Sequence, residues 1–409
     1  MIDLAVVGAG PAGMIAAGTA GMRGLEVVVL EKNNRPGKKL LITGKGRCNI
    51  TNQRPAAEMI TCIPGNGKFL INALYRFDSS RLIEFFESRK VPLKVERGGR
   101  VFPASDSSRD VLACLQEYMS AAGVKMVHRR VRGIERREYG FRLCLGGDRN
   151  LDAANVLLAT GGKSYQATGS TGDGYPLAES LGHAVILPRP ALVPLEADLQ
   201  GLSGLQGLSL RNVGFEVLDR NGRVVFKDIG ELLFTHFGLS GPMPLSASLH
   251  MDPERNYTLV VDLKPGLGMD KLIKRIQRDF RRDGRKKIKN AMSGLTLDRL
   301  IPVVLEQSQV DGEKQAAQAD KEEMRRLSGA LKGVGMEFTG LRRFDEAIVT
   351  AGGVDVSGVD PRTMQSKTVP GLYFAGEILD VYGYTGGYNL HIAFATGYAA
   401  GSACTGHKD

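Results

Sequence analysis

The feature that most constrains the fold is a glycine-rich turn between two apolar segments near the start of the chain. Ile2 to Val7 is a nearly continuous apolar run, and the turn Gly8-Ala9-Gly10-Pro11-Ala12-Gly13 follows it. A second apolar run, Val27 to Leu30, ends at Glu31. A strand, a glycine-rich turn, a helix and a second strand in this order are typical of a dinucleotide-binding βαβ unit. The sequence therefore predicts a doubly wound, Rossmann-like α/β domain.

Each glycine of this turn has its own steric reason. Gly8 allows the tight turn, Gly10 lets backbone amides approach a pyrophosphate, and Gly13 lets the helix pack closely on the strand. The helix N-terminus adds a partial positive charge. Glu31 lies 18 residues after Gly13. At that position a carboxylate accepts hydrogen bonds from a ribose 2′-hydroxyl and repels the 2′-phosphate of NADP.

Two later segments favour FAD over NAD as the dinucleotide. Asn155–Gly162 is an apolar strand that runs into an Ala-Thr-Gly turn, and Gly371–Glu377 is another strand that ends at glycine. Gly386–Asn389 then begins a helix that is predicted to continue to about Gly401. The N-terminus of that helix would direct free amides and a positive dipole at the pyrimidine side of a flavin. An NAD domain has no use for this second helix, so we expect non-covalently bound FAD.

Several glycine-rich motifs follow one another along the chain: Gly37–Asn52, Gly169–Tyr175, Thr235–Pro242, and Gly376–Asp380 with Gly386–Asn389. In sequence and order they resemble a bacterial FAD-binding family. That family includes aminoacetone oxidase-like proteins, a reductase of bile-acid dehydroxylation and a flavin-dependent dihydrouridine synthase of large-subunit ribosomal RNA. The resemblance spans essentially the whole chain, and the family more often has glycine where this sequence has Lys45. It implies an FAD-dependent oxidoreductase.

The turn, the second strand and the later motifs together give a set of predicted FAD-binding residues. The set comprises Gly8, Gly10, Pro11, Ala12, Gly13, Glu31, Lys32, Lys39, Gly46, Arg47, Cys48, Asn49, Val131, Ala159, Thr160, Gly161, Gly162, Gly376, Glu377, Asp380, Gly386, Gly387, Tyr388 and Asn389. The first turn and Glu31 are expected at the pyrophosphate and adenosine ribose, and Ala159–Gly161 at the adenine half. Glu377, Asp380 and Gly386–Asn389 are expected at the ribityl chain and flavin ring.

Two side chains are candidates for catalytic proton transfer. Cys48 lies in the loop Gly44–Asn49, which is expected beside the flavin ring and where Lys45 and Arg47 would lower the thiol pKa. If burial offsets these two cations and keeps the thiol protonated, it could protonate the carbon that does not receive hydride; otherwise it could be a small buried filler. His236, in a glycine-rich loop, could act as acid, base or orienting group, or could simply bond to the backbone.

No metal site, disulfide framework or membrane segment is expected. His128, His183, His250 and His407 show no metal-ligand spacing, and the five cysteines are widely spaced with no CxxC. The first strand begins at once with no basic leader, and no apolar run approaches the roughly 20 residues that span a bilayer. The sequence therefore predicts a soluble, cytoplasmic protein.

If the first and last strands share the FAD domain, that domain is interrupted by an insertion. Residues 1–190 and 344–409 are then its two parts. Residues 191–266 alternate apolar and polar residues with turns such as Asn221-Gly222, which is typical of a small β domain. Residues 267–343 are predicted to be a basic helical subdomain, because the segment from about Gly268 to Lys332 has helical periodicity and is rich in Lys, Arg, Gln and Glu.

The net charge of +10 is concentrated in that subdomain. Lys271 to Lys289 contains ten basic residues against Asp279 and Asp283, and it also has an apolar stripe at helical spacing. A stripe of one sign is the electrostatic footprint expected for a phosphate backbone, and the alternative is a solvated helix with no partner. The residues predicted to contact RNA are Lys271, Lys274, Arg275, Arg278, Arg282, Arg285, Lys286 and Lys289.

Three functions compete at this point. An RNA-modifying reductase would saturate the uracil C5–C6 bond in ribosomal RNA, a small-molecule oxidase or enone reductase would need only the flavin pocket, and a non-catalytic protein would keep FAD for structure alone. No second nicotinamide domain is evident, so NAD(P)H would visit the flavin transiently. A cationic amine such as aminoacetone gains no affinity from the basic stripe, whereas RNA gains affinity from every phosphate that the stripe contacts. RNA uridine reduction is therefore the preferred prediction.

Overall fold

In the computed structural model, residues 1–147 and 149–406 are described; His407 lies outside them. The strands are β1 (Ile2–Val7), β2 (Val27–Leu30), β3 (Thr51–Asn52), β4 (Leu93–Glu96), β5 (Arg100–Pro103), β6 (Lys125–Val127), β7 (Gly133–Arg137), β8 (Gly140–Cys144), β9 (Asn150–Leu158), β10 (Val185–Ala191), β11 (Leu195–Ala197), β12 (Ser209–Asp219), β13 (Val224–Phe234), β14 (Gly238–Ser240), β15 (Tyr257–Asp262), β16 (Val334–Leu341), β17 (Val349–Val354) and β18 (Leu372–Phe374). The helices are α1 (Pro11–Gly21), α2 (Lys38–Ile42), α3 (Ala56–Thr61), α4 (Ile71–Arg76), α5 (Ser79–Glu87), α6 (Ser108–Ala121), α7 (Gly174–Ser180), α8 (Pro242–Ala247), α9 (Met269–Arg282), α10 (Ile288–Ala291), α11 (Ile301–Ser308), α12 (Lys321–Lys332) and α13 (Tyr388–Ala403).

The chain divides into two compact units. Met1–Ala191 with Arg343–Asp409 form one, which we call the discontinuous unit, and Leu192–Arg342 form the other, the inserted unit. The β strands and the helices of the inserted unit share one apolar core, in which Leu272 and Leu331 pack with barrel residues such as Phe215. The segments 191–266 and 267–343 that were predicted separately are thus one compact body.

The discontinuous unit contains the predicted doubly wound sheet, which is confirmed. Its strand order is β6-β2-β1-β9-β8-β7, with β18 also paired to β9. β1 runs parallel to both β2 and β9, with Val7 opposite Leu30 and Leu158. The carboxyl ends of these three strands therefore meet at one edge, which is where open α/β sheets bind ligands.

Helices α1 and α13 pack against each other through glycine. A Cβ atom on Gly397 would lie 2.3 Å from the carbonyl oxygen of Ala12, and one on Gly401 would lie 2.4 Å from that of Ala16. Any side chain at these two positions would push the helices apart. The first residues of the chain and residues almost 400 positions later thus build the same layer.

The inserted unit is a closed barrel with the order β11-β14-β13-β12-β15-β16, covered by helices. Its last strand, β16, lies within the range 267–343 assigned to the helical subdomain, just after the segment Gly268–Lys332 whose periodicity predicted helices. Val334, Met336 and Phe338 are buried in alternation, which is the period of a strand. Pairing of β16 with β15 and β11 closes the barrel.

Helix α9 carries the first part of the predicted basic stripe. It buries Leu272, Ile276 and Phe280 and ends at Arg282. The prediction of one continuous stripe to Lys289 was therefore wrong, because Gly284 follows the helix end and glycine is a poor helix former. Four of the predicted basic residues lie beyond the end of α9: Arg285, Lys286, Lys287 and Lys289.

Across residues 1–147 and 149–406, no helix is both long enough and apolar enough to cross a membrane. Over the same ranges, no three His, Cys, Asp or Glu side chains come together in a way that could hold a metal ion.

Candidate functional site

The turn between β1 and α1 lies at the carboxyl edge of the parallel strands. Gly8 has a φ of +106°, and a Cβ there would lie 2.5 Å from the carbonyl oxygen of Ala159. A Cβ on Gly13 would lie 2.0 Å from the carbonyl oxygen of Gly8. A Cβ on Gly10, by contrast, would meet no atom of the described chain within 4 Å. The chain's own packing thus requires Gly8 and Gly13, whereas Gly10 borders open space.

The start of α1 is suited to an anion. Pro11 is the first helical residue, and no side chain caps the helix from Gly10 within the described residues. The first amides of the helix are therefore free to bind a ligand, and the dipole favours a negative one.

Glu31 stabilises this turn from the end of β2. Its Oε2 accepts a hydrogen bond from the Ala9 amide at 2.9 Å, and its Oε1 accepts one from the Asn33 amide at 2.7 Å. The carboxylate is buried and is held at the sheet edge beside Gly8. Because a carboxylate oxygen can accept more than one hydrogen bond, Oε2 keeps the accepting capacity that the predicted ribose contact needs.

Lys32 links the end of β2 to the Gly169–Tyr175 motif. Its Nζ donates to Thr171 Oγ1 at 2.7 Å and lies 2.9 Å from Asp173 Oδ2. Arg130 Nε lies 3.1 Å from the same carboxylate oxygen, and Val131 beside it is buried. The ammonium group of Lys32 is therefore held by this motif, where it shares the carboxylate of Asp173 with Arg130.

Lys39 and Glu377, which the sequence suggested separately, form one partly buried cluster. Lys39 Nζ donates to Glu377 Oε2 and to Ser164 Oγ, each at 2.6 Å. Ser164 Oγ donates to Glu377 Oε1 at 3.0 Å, and the Thr350 amide donates to the same atom at 2.8 Å. The sequence analysis missed Ser164 and Thr350, because neither residue belongs to a recognisable motif.

The loop before α13 is held by side-chain amides and carboxylates. Asp380 Oδ1 accepts from the Gly352 amide at 2.9 Å, and burial raises the pKa of Asp380. Asn389 Oδ1 accepts from the Gly383 amide at 2.8 Å, and its Nδ2 donates to the Gly383 carbonyl at 2.9 Å. The side chain of Asn389 is therefore committed to the loop, and its main-chain amide remains for a ligand.

Helix α13 begins after two glycines in the left-handed region. Gly386 and Gly387 have φ values of +128° and +101°, and a Cβ on Gly387 would lie 2.4 Å from the Thr51 carbonyl oxygen. Asn52 Nδ2 donates to the Gly386 carbonyl at 3.2 Å. Within the described residues no side chain caps α13, so the amides of its first turn, beginning at Tyr388, are also free.

A buried histidine supports this helix start. His391 Nδ1 accepts from Thr51 Oγ1 at 2.6 Å, and its Nε2 donates to the Phe77 carbonyl at 2.9 Å. Complete burial lowers the pKa of His391 to about 4, so the ring is neutral near pH 7. The sequence analysis did not single out His391, although a histidine in an otherwise apolar helix is a usable signal.

The loop around Cys48 has an unusual backbone. Gly44, Lys45 and Cys48 all have positive φ values, of +57°, +59° and +61°. Lys45 thus adopts a left-handed conformation that favours glycine. Cys48 has no exposed surface, and burial raises the pKa of its thiol to about 12.

The expectation that Lys45 and Arg47 would lower the Cys48 pKa was wrong. The Arg47 guanidinium pairs with Glu96 and, at 2.6 Å, with Asp106. It also lies 4.2 Å from the ring centroid of Phe102. Because its charge is neutralised there, burial decides the protonation of Cys48, and the thiol is uncharged near pH 7.

His236 belongs to the inserted unit, in the loop between β13 and β14. The loop is fixed by Thr235, whose Oγ1 accepts from the amides of Phe237 at 3.4 Å and Gly238 at 3.1 Å. The imidazole is exposed and contacts the Phe237 ring edge-on, with the centroids 5.0 Å apart.

The basic surface of α9 and the following turn is exposed, apart from the half-buried Arg275. Part of its charge is neutralised within the protein. The paired side chains are Arg275, Arg278 and Arg282 with the buried Asp279, Arg282 and Lys286 with Asp283, and Lys287 and Lys289 with Glu313. Among the described residues, Lys271, Lys274, Arg281 and Arg285 have no acidic partner within 4.0 Å. These four carry charge that no carboxylate of the described residues offsets.

Three buried side-chain polar atoms have no hydrogen-bond partner within the described part of the chain: Asn49 Oδ1, Thr160 Oγ1 and the Tyr175 hydroxyl. All three belong to glycine-rich motifs of the discontinuous unit. Native proteins pair nearly all buried polar groups, so these three atoms indicate a ligand. Together with the free helix starts and the open space at Gly10, they fit FAD, whose phosphate and carbonyl oxygens accept hydrogen bonds and whose hydroxyl and N–H groups donate them.

Comparison with known proteins identifies the family to which this chain belongs. The family described as "HI0933-like protein Rossmann domain" matches residues 2–403. The chain belongs to that family. It is accordingly an FAD-binding oxidoreductase with a Rossmann-type fold, as the sequence predicted.

Two relatives of this HI0933-like chain have assigned activities. It is 33% identical to a 3-dehydro-bile acid delta(4,6)-reductase of Clostridium scindens, over 98% of this chain and 99% of that protein. It is 30% identical to a ribosomal RNA dihydrouridine synthase of Escherichia coli, over 97% of this chain and 96% of that protein.

A solved structure shares the fold of the HI0933-like chain. The 3-ketosteroid-delta4-(5alpha)-dehydrogenase of Rhodococcus jostii aligns with a TM-score of 0.52 at 15% identity, over 98% of this chain and 96% of that one. The likeness to that structure therefore covers the inserted unit as well as the Rossmann-type sheet.

Proposed function

We propose that this protein reduces a carbon–carbon double bond conjugated to a carbonyl group, and that its substrate is a uridine of large-subunit ribosomal RNA. The names of the two relatives support the first part, since both describe reduction of such bonds, one in a bile acid and one in RNA. The oxidoreductase family and the FAD-binding fold are in keeping with the same chemistry.

The exposed cations of the inserted unit support RNA as the substrate class. Lys271, Lys274, Arg281 and Arg285 have no acidic partner among the described residues and lie on or just after one helix. Each cation that neutralises a phosphate releases a counterion, so such a surface gains affinity from every RNA phosphate it meets. A bile acid carries a single carboxylate and would need one cation rather than several.

The reaction requires a hydride at C6 of the uracil ring, a proton at C5, and the oxidation of one NAD(P)H. When bound, FAD would supply the hydride, with NAD(P)H as the source of the electrons. The chain's own residues bind and orient the cofactor through the starts of α1 and α13, and one of them must provide the proton. Cys48 is a suitable acid because its thiol stays protonated, but transfer from a sulfur with no exposed surface requires the Gly44–Asn49 loop to shift. His236 is the exposed alternative.

The proposal is tested by mass spectrometry of large-subunit ribosomal RNA from a deletion strain. We expect one dihydrouridine to disappear in the deletion and to return with the wild-type gene. Complementation with Cys48→Ala and His236→Ala identifies the proton donor, and each variant is first checked for bound flavin by its absorbance. An unchanged dihydrouridine content in the deletion strain would exclude RNA as the substrate.

A small-molecule enone reductase is the second candidate, favoured by the 33% identity to the bile-acid enzyme. NADH or NADPH consumption with a 3-keto-4-ene steroid, measured beside an unmodified ribosomal RNA fragment, separates the two. Turnover of the steroid without turnover of RNA would replace the first candidate by the second.

A further inference from the structure

The most deeply buried side chain with an unsatisfied polar atom is Tyr175. Its side chain is 6% exposed, and its hydroxyl group has no hydrogen-bond partner among the described residues. An unsatisfied buried hydroxyl costs about 1–3 kcal/mol. Tyr175 was not among the predicted cofactor-binding residues, although it ends the Gly169–Tyr175 motif.

Tyr175 is tied to the turn that follows β9. Its amide donates to the Gly172 carbonyl at 3.1 Å, and the Gly172 amide donates to the Gly162 carbonyl at 3.1 Å. The preceding residue, Gly174, leaves room for Thr160, whose Oγ1 would lie only 2.0 Å from a Cβ at that position. The two unsatisfied hydroxyls of Thr160 and Tyr175 thus belong to adjoining segments.

Burial raises the pKa of the Tyr175 phenol well above its ordinary value, and the carboxylates of Glu377 and Asp380 raise it further. The phenol is therefore protonated and can donate. The segment between Glu377 and Asp380 is close by, since a Cβ on the adjacent Gly174 would lie 2.6 Å from Ile378 Cδ1. Neither carboxylate is within hydrogen-bond distance of the phenol. The oxygens of Glu377 already accept from Lys39, Ser164 and the Thr350 amide.

We propose that the Tyr175 hydroxyl binds FAD by a hydrogen bond to the ribityl half of the cofactor. Its neighbours Glu377 and Asp380 are the residues that the sequence motifs place at the ribityl chain, whose hydroxyl groups are suitable acceptors. This inference concerns FAD alone and holds whether or not RNA is the substrate.

The test is Tyr175→Phe, which removes one oxygen atom. We expect FAD to bind about tenfold more weakly, equivalent to about 1.4 kcal/mol, in a fluorescence titration of FAD-free protein. The thermal midpoint of the FAD-free protein should stay the same or rise, since the hydroxyl has no partner to lose there. A residue with a merely structural role would instead lower the midpoint.

Tyr118→Phe is the matched control. The Tyr118 hydroxyl lies 3.3 Å from Thr19 Oγ1 in the same unit. Its removal should lower the midpoint of the FAD-free protein and leave FAD affinity unchanged.

The position along the cofactor is tested with ADP, which lacks the ribityl and flavin groups. ADP should bind Tyr175→Phe and wild-type protein equally. Unchanged FAD affinity in Tyr175→Phe, an equal loss of ADP affinity, or a lowered midpoint of the FAD-free protein would each overturn the proposal.

Discussion

The two units offer their candidate ligands different kinds of surface. In the discontinuous unit the site is made of backbone: Gly8 and Gly387 have positive φ values, and the starts of α1 and α13 leave amides free. In the inserted unit the surface is made of long cationic side chains on α9 and the turn after it. A backbone site depends on the exact shape of the chain, so a single methyl group can destroy it. A cationic surface sums many small contributions, so it loses affinity gradually.

Gly10→Ala is expected to have the largest effect. Gly10 has a φ of −82°, and a Cβ there meets no described atom within 4 Å, so the FAD-free protein should keep or slightly gain stability. An added methyl group in a filled site costs about 1–3 kcal/mol, so FAD should bind about 10- to 100-fold more weakly. Fluorescence titration and thermal unfolding measure the two effects.

Gly8→Ala is the contrasting variant, because its Cβ would meet the Ala159 carbonyl in the protein itself. It should lower the stability of the FAD-free protein as well. If Gly10→Ala retained full FAD affinity, the pyrophosphate would not lie at this turn.

His391→Gln tests the buried hydrogen bonds that support the start of α13. The folded pKa of His391 is lowered to about 4 against 6.5 for an ordinary histidine, so unfolding takes up a proton below pH 6.5. As the pH falls from 8 to 5, this proton uptake should lower the free energy of unfolding of the wild type by about 2 kcal/mol. Denaturant unfolding of the FAD-free proteins should show that the free energy of unfolding falls less with pH in His391→Gln than in the wild type. Identical pH profiles would contradict the assignment of His391 as a buried, neutral side chain.

Neutralising the four cations without acidic partners should weaken RNA binding by about tenfold at physiological salt. The variant is Lys271, Lys274, Arg281 and Arg285 all changed to Gln. The control changes four cations elsewhere in the same unit: Arg220, Arg223, Lys321 and Arg325. Binding of ribosomal RNA fragments is measured at several salt concentrations. The plot of log binding constant against log salt concentration should be less steep for the first variant, by about 0.7–0.9 for each phosphate that is no longer neutralised. Equal slopes in both variants would show that α9 is not part of the RNA-binding surface.

Glu313→Gln should have the smallest effect, and in the opposite direction. Hydrogen bonds from Lys287 and Lys289 lower the pKa of Glu313 to about 2, so it is charged and neutralises part of the surface. Its removal should strengthen RNA binding about twofold at low salt and leave the thermal midpoint nearly unchanged. The same RNA titration measures it, and weaker binding would mean that Glu313 orients the two lysines for RNA.

The parts of the fold that were predictable are those with a local cause. The turn at Gly8–Gly13 and the start of α13 follow from glycines whose backbone no other residue adopts as easily. The strand β16 was missed because tertiary pairing decided it: β16 closes a barrel between β15 and β11. The helical periodicity ended near Lys332, and the alternation of Val334, Met336 and Phe338 was the signal of a strand after it.

The candidate site was predictable in its backbone and less so in its side chains. Sequence spacing located both glycine turns, but it could not show that Arg47 points to Glu96 and Asp106 rather than to Cys48. Nor could it show that Lys39 and Glu377, 338 residues apart, share one hydrogen-bond cluster. Partners so distant in the chain are determined by the completed fold alone.

The close packing of α13 on α1 has a consequence for how the protein is made. When Ala191 leaves the ribosome, β1, β2 and β9 are available, but their neighbours β18 and α13 have not been synthesised. At about 5–20 residues per second, the remaining chain takes roughly 10–40 s. Throughout that interval Ala12 and Ala16 lack the helix that covers them, and the amides predicted to bind the flavin end of FAD at the start of α13 have not been made. If FAD needs both helix starts, the nascent protein cannot use it as a template for early folding, and the exposed face of α1 is where a chaperone would be needed.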